Sequence, residues 1–134
     1  MNFLNNILAR SEAEGSGAYE AIMLNHAGYV AEASAANIFF GKDGALFTPS
    51  RECDILLGIT RAAALEIAAD MGVRCEERAI APSETFGFQE CFLTSSGVEL
   101  LPVTMIDDKA VGAGKPGPLY AALHKAYCEL VRKG

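Results

Sequence analysis

The feature that most constrains the fold is one amphipathic helix set between segments with strand patterns. Segment 61–72, RAAALEIAADMG, repeats apolar residues at helical spacing and ends in a glycine that stops helices. Before it, segments 37–42 and 45–48 have the pattern of a hairpin around the turn 42–44. After it, segment 73–80 returns to a strand pattern. Hairpins before the helix and a crossover after it indicate an α+β domain, with a mixed or antiparallel sheet, or a small pseudo-barrel, wrapped by helices.

The remaining elements extend this pattern over residues 1–134 without a linker or an internal repeat, so a single domain is expected. Segment 2–14 predicts a first helix, because its apolar residues fall on one helical face; they are Phe3, Leu4, Ile7 and Leu8. A final helix is predicted to start at Pro116 or Pro118. Further strand patterns occupy 20–25, 29–31, 90–94 and 98–106, with a helical turn at 82–86.

Composition excludes several classes of function. The net charge of −6, with no basic stripe, argues against a nucleic-acid partner and against an anionic membrane surface. No apolar run approaches the roughly 20 residues that span a bilayer, and the amino-terminal residues show no secretory signal. The four cysteines match no zinc pattern. We therefore expect reduced thiols, no metal site and a cytoplasmic protein.

Three polar segments interrupt the apolar patterns and are candidates for ligand binding. Segment 32–37, EASAAN, places a carboxylate at a strand end beside small residues that allow close approach. Segment 57–60, LGIT, stands where a helix starts, and a helix N terminus receives anions. Segment 94–99, TSSGVE, can form an anion-binding turn. Each also has an ordinary explanation, as a solvated strand end, a helix cap or a polar turn, but the three in this order are more specific than any one alone.

In this order the segments resemble class IV, or fold-type IV, pyridoxal-phosphate aminotransferases. That family includes branched-chain and D-amino acid aminotransferases and aminodeoxychorismate lyases. The matching residues are NFLNNILA at 2–9, EAIMLN at 20–25, GYVAEASAANIFF at 28–40, LFTP at 46–49, ILLGITR at 55–61, FLTSSGVELLPV at 92–103 and GKPGP at 114–118. The resemblance runs over the whole chain and implies the C-terminal domain of a D-amino acid aminotransferase-like fold.

The resemblance also implies a site for pyridoxal 5'-phosphate. Glu32 matches the carboxylate that faces the pyridine nitrogen of the cofactor, and Leu56 matches a residue that packs against the ring. The residues matched to the phosphate group are Gly58, Ile59, Thr60 and Ser96. Those matched to the turn that faces the substrate carboxylate are Gly97 and Val98.

Other parts of such an enzyme are expected outside this chain. The catalytic lysine of the family stands a few residues before the position matched by Asn2, and none of the lysines in this chain takes its place. The N-terminal domain is likewise expected outside the chain. The expected function is exchange of amino groups between an amino acid, of branched-chain or D-amino acid type, and a 2-oxo acid. We expect this chain to be inactive alone and, like the homodimers of the family, to associate with itself. The apolar residues expected to supply the surface for association are Phe3, Leu4, Ile7, Phe39 and Phe40.

Two alternatives remain open. The first is an aminodeoxychorismate lyase, which uses the same cofactor for an elimination. The second is a truncated, non-catalytic binding or interaction module. Phe3 stands where branched-chain enzymes usually carry a tyrosine, and segment 94–99 lacks the usual glycine–threonine form. These departures leave the substrate class less defined than the cofactor class.

Overall fold

The computed structural model describes residues 2–10, 17–24, 27–33, 36–50, 58–95, 99–106 and 109–133. These residues contain nine strands, two α-helices and a 3-10 turn. The strands are β1 (Asn2–Arg10), β2 (Gly17–Leu24), β3 (Val30–Ala33), β4 (Ala36–Lys42), β5 (Ala45–Thr48), β6 (Arg74–Glu77), β7 (Glu90–Ser95), β8 (Glu99–Ile106) and β9 (Lys109–Ala110). The helices are α1 (Ile59–Asp70) and α2 (Pro118–Lys133), and the 3-10 turn is Pro82–Gly87.

The strands form one mixed sheet in the order β3-β2-β1-β8-β7-β4-β5-β6, with β9 paired to β8. Neighbouring strands are antiparallel except β5 and β6, which are parallel because the connection between them passes through α1. Ala33 of β3 also pairs with Ala36 of β4. The strand path nevertheless ends openly at β6. The expected α+β fold with a mixed sheet is therefore confirmed, and the pseudo-barrel alternative is not.

Segment 2–10 is a strand, so the predicted first helix is wrong. β1 pairs with β2 along its length and with β8 on its other side. The register with β2 shifts between Phe3 and Asn5, and such an irregularity breaks the simple alternation that marks a strand in a sequence. Apolar spacing in so short a run fits a helix or a strand equally well, and pairing with two neighbouring strands decides between them.

The other expected elements are confirmed, with shifted boundaries. The hairpin of β4 and β5 turns at Asp43 and Gly44, whose φ angles of 50° and 79° are the left-handed conformations of a two-residue hairpin. Helix α1 begins at Ile59 and is followed by Gly72, with a φ of 76°. Helix α2 begins at Pro118, the second of the two predicted positions. The short strand β9 was not predicted.

Two hydrophobic clusters cover the two faces of the sheet. One contains Phe40 of β4 and Leu93 of β7, together with residues that follow the 3-10 turn. The other contains Phe39 and Phe92, whose rings stack with centroids 5.1 Å apart, and it packs α1 and α2 against the sheet. Consecutive residues of a strand point to opposite faces, so each member of the Phe39–Phe40 pair enters a different cluster. Both side chains are 0% exposed, and the prediction that they supply an association surface is wrong.

Helix α2 is anchored to the sheet by a buried carboxylate. Glu90 of β7 accepts hydrogen bonds from the backbone N–H groups of Tyr120, at 2.8 Å, and Leu119, at 3.2 Å. A negative charge is favourable there because the N terminus of a helix carries a partial positive charge. Gly41 and Gly117 leave the space that the carboxylate occupies, since a Cβ on either residue would overlap the Glu90 side chain. This anchor fixes α2, which in turn packs against α1.

Candidate cofactor site

The sheet brings the first and third polar segments together at one edge. Ala33, at the end of β3, pairs with Ala36, at the start of β4. Ala36 pairs in turn with Ser95, at the end of β7, and Ser95 pairs with Glu99, at the start of β8. The strand ends that flank residues 34–35 and residues 96–98 are therefore adjacent, although the two segments are separated by some 60 positions in the sequence.

The second polar segment meets this edge through Gly58. Gly58 is the N-cap residue of α1, and it lies directly against the side chain of Asn37, the second residue of β4. A Cβ built on Gly58 would lie 2.9 Å from Asn37 Oδ1, which is closer than carbon and oxygen atoms pack without displacement. Gly58 has a φ of −78°, so its backbone is open to any residue, and the close approach is what favours glycine here.

The first turn of α1 presents polar groups at the same place. Ile59 is the first residue of the helix, and the hydroxyl-bearing side chain of Thr60 is only 4% exposed. Gly58 has no side chain with which to cap the helix, and no acidic residue lies in the first turn. The N–H groups of a first helical turn have no acceptor within the helix and, with the helix dipole, favour an anion. The start of α1 therefore has the features of a helix N terminus that favours an anionic ligand.

Thr94 adds a hydroxyl to this place that the sequence analysis did not single out as a site residue. Thr94 of β7 is the cross-strand partner of Asn37, and its side chain is 2% exposed. Its Oγ1 atom is buried and, within the part of the chain that the structure describes, makes no hydrogen bond. A buried hydroxyl without a partner is costly, and a bound ligand that accepts or donates a hydrogen bond is one way in which a native protein satisfies such a group. Together with Gly58 and Thr60, it makes the region fit a phosphate-bearing cofactor.

Arg61 is a second buried polar residue that sequence reasoning did not single out. It is 5% exposed, and its Nη2 atom donates to the carbonyl oxygen of Pro49 at 3.1 Å and to Glu77 Oε1 at 2.8 Å. These contacts tie the first turn of α1 to the chain after β5 and to β6. The sequence signal was the arginine in the motif ILLGITR, but its partners lie 12 and 16 positions away and could not be read from spacing.

The structure describes the position of some of the residues predicted for the site but not of others. Gly58, Ile59 and Thr60 lie at the start of α1, beside the edge where the other two polar segments meet. Glu32 lies in β3, one residue before Ala33, with Met23 as its cross-strand partner. The predicted residues outside the described part of the chain are Leu56, Ser96, Gly97 and Val98.

The cysteines and acidic residues form no metal site among the residues that the structure describes. Cys75, Cys91 and Cys128 are free thiols there, and Cys53 falls outside that part of the chain. Burial, reinforced by the neighbouring charge of Glu90, raises the pKa of the Cys91 thiol well above its usual range. Neither helix α1 nor α2 is long and apolar enough to cross a bilayer.

Comparison with known proteins identifies the class. Residues 1–106 match the family described as amino-transferase class IV, and the chain therefore belongs to that family. It is 42% identical over 129 residues to the branched-chain-amino-acid aminotransferase of Pseudomonas aeruginosa, an alignment that covers 96% of this chain and 42% of that protein. It is 35% identical over 119 residues to the D-alanine aminotransferase of Bacillus licheniformis, covering 89% of this chain and 42% of that protein. The chain thus spans less than half the length of these relatives.

Solved structures show the same fold. The chain superimposes with a TM-score of 0.79 on a T.th. branched-chain amino acid aminotransferase complexed with N-(5'-phosphopyridoxyl)-L-glutamate. The two are 36% identical, and the match covers 84% of this chain and 37% of the other. The ligand in that solved structure carries a phosphopyridoxyl group.

Proposed function

We propose that this chain is the pyridoxal-phosphate-binding domain of an aminotransferase that exchanges amino groups between an amino acid and a 2-oxo acid. The observation that carries the proposal is the meeting of Asn37, Gly58 and Thr94 at the start of α1. Segments that are far apart in the sequence meet here. They contribute the close approach of the Gly58 backbone to Asn37, the buried hydroxyls of Thr60 and Thr94, and the N terminus of α1. Such a combination suits a phosphate monoester, and the family to which the chain belongs supports the cofactor that carries one.

The phosphate group is proposed to lie at the N terminus of α1. The backbone N–H groups of Ile59 and Thr60 would donate to it, with the Thr60 hydroxyl as a further donor. Gly58 contributes by having no side chain, which keeps the approach to the helix open beside Asn37. Ser96 is proposed, from the resemblance, as a second hydroxyl ligand. The helix dipole and the hydrogen bonds act together here, and both favour the doubly charged phosphate.

Glu32 is proposed to hold a proton on the pyridine nitrogen. When bound, pyridoxal phosphate supplies an electron-accepting ring that is more effective when this nitrogen is protonated. A carboxylate next to the nitrogen favours the protonated form because opposite charges attract. Glu32 lies in β3 immediately before the Ala33–Ala36 pair, at the sheet edge where the polar segments meet. Leu56 is proposed to pack against the ring, and Gly97 and Val98 to face the substrate carboxylate.

The substrate is proposed to be an amino acid of branched-chain or D-amino acid type, with a 2-oxo acid as its partner. The support is that the relatives include a branched-chain-amino-acid aminotransferase and a D-alanine aminotransferase. Residues 1–134 are proposed to form one domain of this enzyme, with the catalytic lysine supplied from outside the chain. A homodimer and a cytoplasmic location are proposed on the same family grounds. The lyase and the non-catalytic module are not favoured, since the relatives in the comparison are named as aminotransferases.

The test is cofactor binding and amino transfer by the full-length protein. Purified protein should bind pyridoxal phosphate with a shifted absorbance band and should consume 2-oxoglutarate when given one member of a panel of L- and D-amino acids. A branched-chain donor would assign the first substrate class, and D-alanine would assign the second. Binding without amino transfer to any panel member, but with elimination from aminodeoxychorismate, would favour the lyase. Protein that neither binds the cofactor nor transfers an amino group would refute the proposal.

A further inference from the structure

Among the residues that the structure describes, the cross-strand partner of Asn37 carries a buried hydroxyl without a hydrogen bond. Thr94 is 2% exposed, and its Oγ1 atom has no partner within the part of the chain that the structure describes. By contrast, the buried hydroxyl of Thr48, in the same sheet, donates to the carbonyl oxygen of Ile38 at 2.7 Å. The sheet therefore satisfies a buried threonine where the hydroxyl is structural. The Thr94 hydroxyl lacks such a hydrogen bond, and a ligand from outside the protein can supply it.

The face on which Thr94 lies is fixed by the alternation along β7. Phe92, two residues earlier, belongs to the cluster that packs α1 against the sheet, whereas Leu93 belongs to the opposite cluster. Thr94 therefore projects on the same face as Phe92, toward the side covered by α1. The cross-strand partners repeat the pattern, because Phe92 stacks on Phe39 and Thr94 pairs with Asn37.

The start of α1 lies against one member of this pair, Asn37. Gly58, the N-cap, is in contact with the side chain of Asn37, the cross-strand partner of Thr94. Side chains directly opposite each other on neighbouring antiparallel strands have Cβ atoms about 4.5–5.5 Å apart. The Thr94 hydroxyl is thus one side chain away from the helix N terminus. The N terminus of α1 and the Thr94 hydroxyl, a buried donor without a partner in the described structure, are therefore close together, and both favour a negatively charged acceptor.

We propose that Thr94 is a direct ligand of the phosphate group received at the start of α1, a role distinct from those of Thr60 and Ser96. The identity of the phosphate ester rests on the proposed function. The assignment of Thr94 as its ligand rests on the geometry of β4, β7 and α1. Without ligand, the hydroxyl is a buried donor that lowers stability. With ligand, it donates to a charged oxygen, which makes a hydrogen bond stronger than one between neutral groups.

The experiment measures the affinity of the full-length, cofactor-free protein for three probes: pyridoxal 5'-phosphate, pyridoxal and inorganic phosphate. Thr94→Val removes the hydroxyl and keeps the shape. It should weaken binding of both phosphate-bearing probes about 10- to 100-fold, the range expected for one hydrogen bond to a charged group. Binding of pyridoxal should stay unchanged. Thr94→Ser restores the hydroxyl and should restore the affinity. Thr104→Val, which changes another largely buried threonine of the same sheet, is the control and should affect none of the probes.

A second readout separates ligand binding from a structural role. Thr94→Val should raise the melting temperature of the cofactor-free protein, because a buried unpartnered hydroxyl is lost, and should reduce the rise in melting temperature that added phosphate produces. A residue needed only for packing or for a structural hydrogen bond would lower the melting temperature instead.

The possible outcomes separate this inference from the proposed function. If the wild type binds pyridoxal phosphate and Thr94→Val binds it equally well, Thr94 is not a ligand and the proposed function stands. Equal loss for pyridoxal and its phosphate would also overturn the assignment. If the wild type binds inorganic phosphate through Thr94 but not pyridoxal phosphate, the site survives and the proposed cofactor does not. Failure to bind any of the probes would overturn both.

Discussion

The anchor of helix α2 makes a quantitative prediction about two residues that face each other across β4 and β7. Gly41 and Glu90 are cross-strand partners, and a Cβ on Gly41 would lie 2.5 Å from Glu90 Cγ and 3.1 Å from its carboxyl carbon. Ordinary carbon–carbon contacts are about 3.5–4.0 Å, so Gly41→Ala forces the Glu90 side chain to move. Moving it weakens the hydrogen bonds to Leu119 and Tyr120. We expect Gly41→Ala to lower the free energy of unfolding by about 1–3 kcal/mol, the usual cost of overpacking.

The same substitution should be nearly harmless when the Glu90 side chain is shortened. Glu90→Ala alone should cost about 1.5–3 kcal/mol for each hydrogen bond to the lost carboxylate, moderated by any water that replaces it. It also removes both carbon atoms that oppose the new Cβ. The next neighbour is then Leu119 Cδ1 at 3.2 Å, the end of a flexible side chain. In the Glu90→Ala background, Gly41→Ala should therefore cost less than about 0.5 kcal/mol, or even stabilise, because alanine has fewer unfolded conformations than glycine.

The assay is a double-mutant cycle by urea denaturation of the chain. The expected coupling energy is about 1–3 kcal/mol, in the sense that the double variant is more stable than the sum of the single effects. Gly87→Ala is the matched control, since a Cβ there meets no atom within 4 Å, and it should change stability by less than about 0.5 kcal/mol. Additive effects of Gly41→Ala and Glu90→Ala would show that the close contact between these residues does not exist.

Three further predictions concern other parts of the chain. The hydrogen bond from Arg78, together with that from the Ala81 N–H group, lowers the pKa of Glu84, so the pair stabilises the fold above the ordinary glutamate pKa and loses that effect as the pH falls through the lowered pKa. Glu84→Gln should lower the free energy of unfolding by less than about 1 kcal/mol at pH 7, because both side chains are partly exposed, and should leave it unchanged near pH 2, as measured by denaturant titration. Cys91, whose thiol pKa is raised by burial, should react with a thiol reagent at pH 8 only as fast as the protein opens, whereas rapid labelling at this position by mass spectrometry would contradict its burial. Glu32→Gln in the full-length protein should reduce turnover steeply while the absorbance of bound pyridoxal phosphate persists, and unchanged turnover would argue against its proposed role.

Local sequence signals predicted the parts of the fold that local geometry decides. The Asp43–Gly44 turn follows from residues that accept left-handed conformations, and α1 follows from its apolar spacing and the glycine after it. The strand β1 was missed because its identity depends on β2 and β8, which are distant in the sequence. The exposure of Phe39 and Phe40 was misjudged for the same reason, since the helices that cover the sheet come from elsewhere in the chain.

The candidate site was predicted only where a motif carried it. Gly58, Ile59 and Thr60 were predicted because they match the family's phosphate-binding segment, and the structure places them at the start of α1. The role of Gly58 in admitting Asn37 could not be found that way, because the two residues meet only in the folded chain. Thr94 illustrates the limit most clearly. Its residue type is ordinary at a strand end, and what distinguishes it is that its buried hydroxyl lacks a partner in the described structure.

Three sets of contacts hold the start of α1, where the phosphate group is proposed to bind. Asn37 lies beneath Gly58, Arg61 ties the first turn to Pro49 and Glu77, and the buried carboxylate of Glu90 fixes α2, against which α1 packs. Substitutions at Glu90 should therefore lower the stability of the fold directly and should lower phosphate affinity only through that loss of stability. Substitution of Thr94 should act in the opposite sense, raising the stability of the unliganded protein while lowering phosphate affinity. Opposite effects of this kind on stability and on phosphate affinity would identify the Thr94 hydroxyl as a ligand-binding group, because removing a purely structural hydroxyl lowers stability without a separate effect on phosphate.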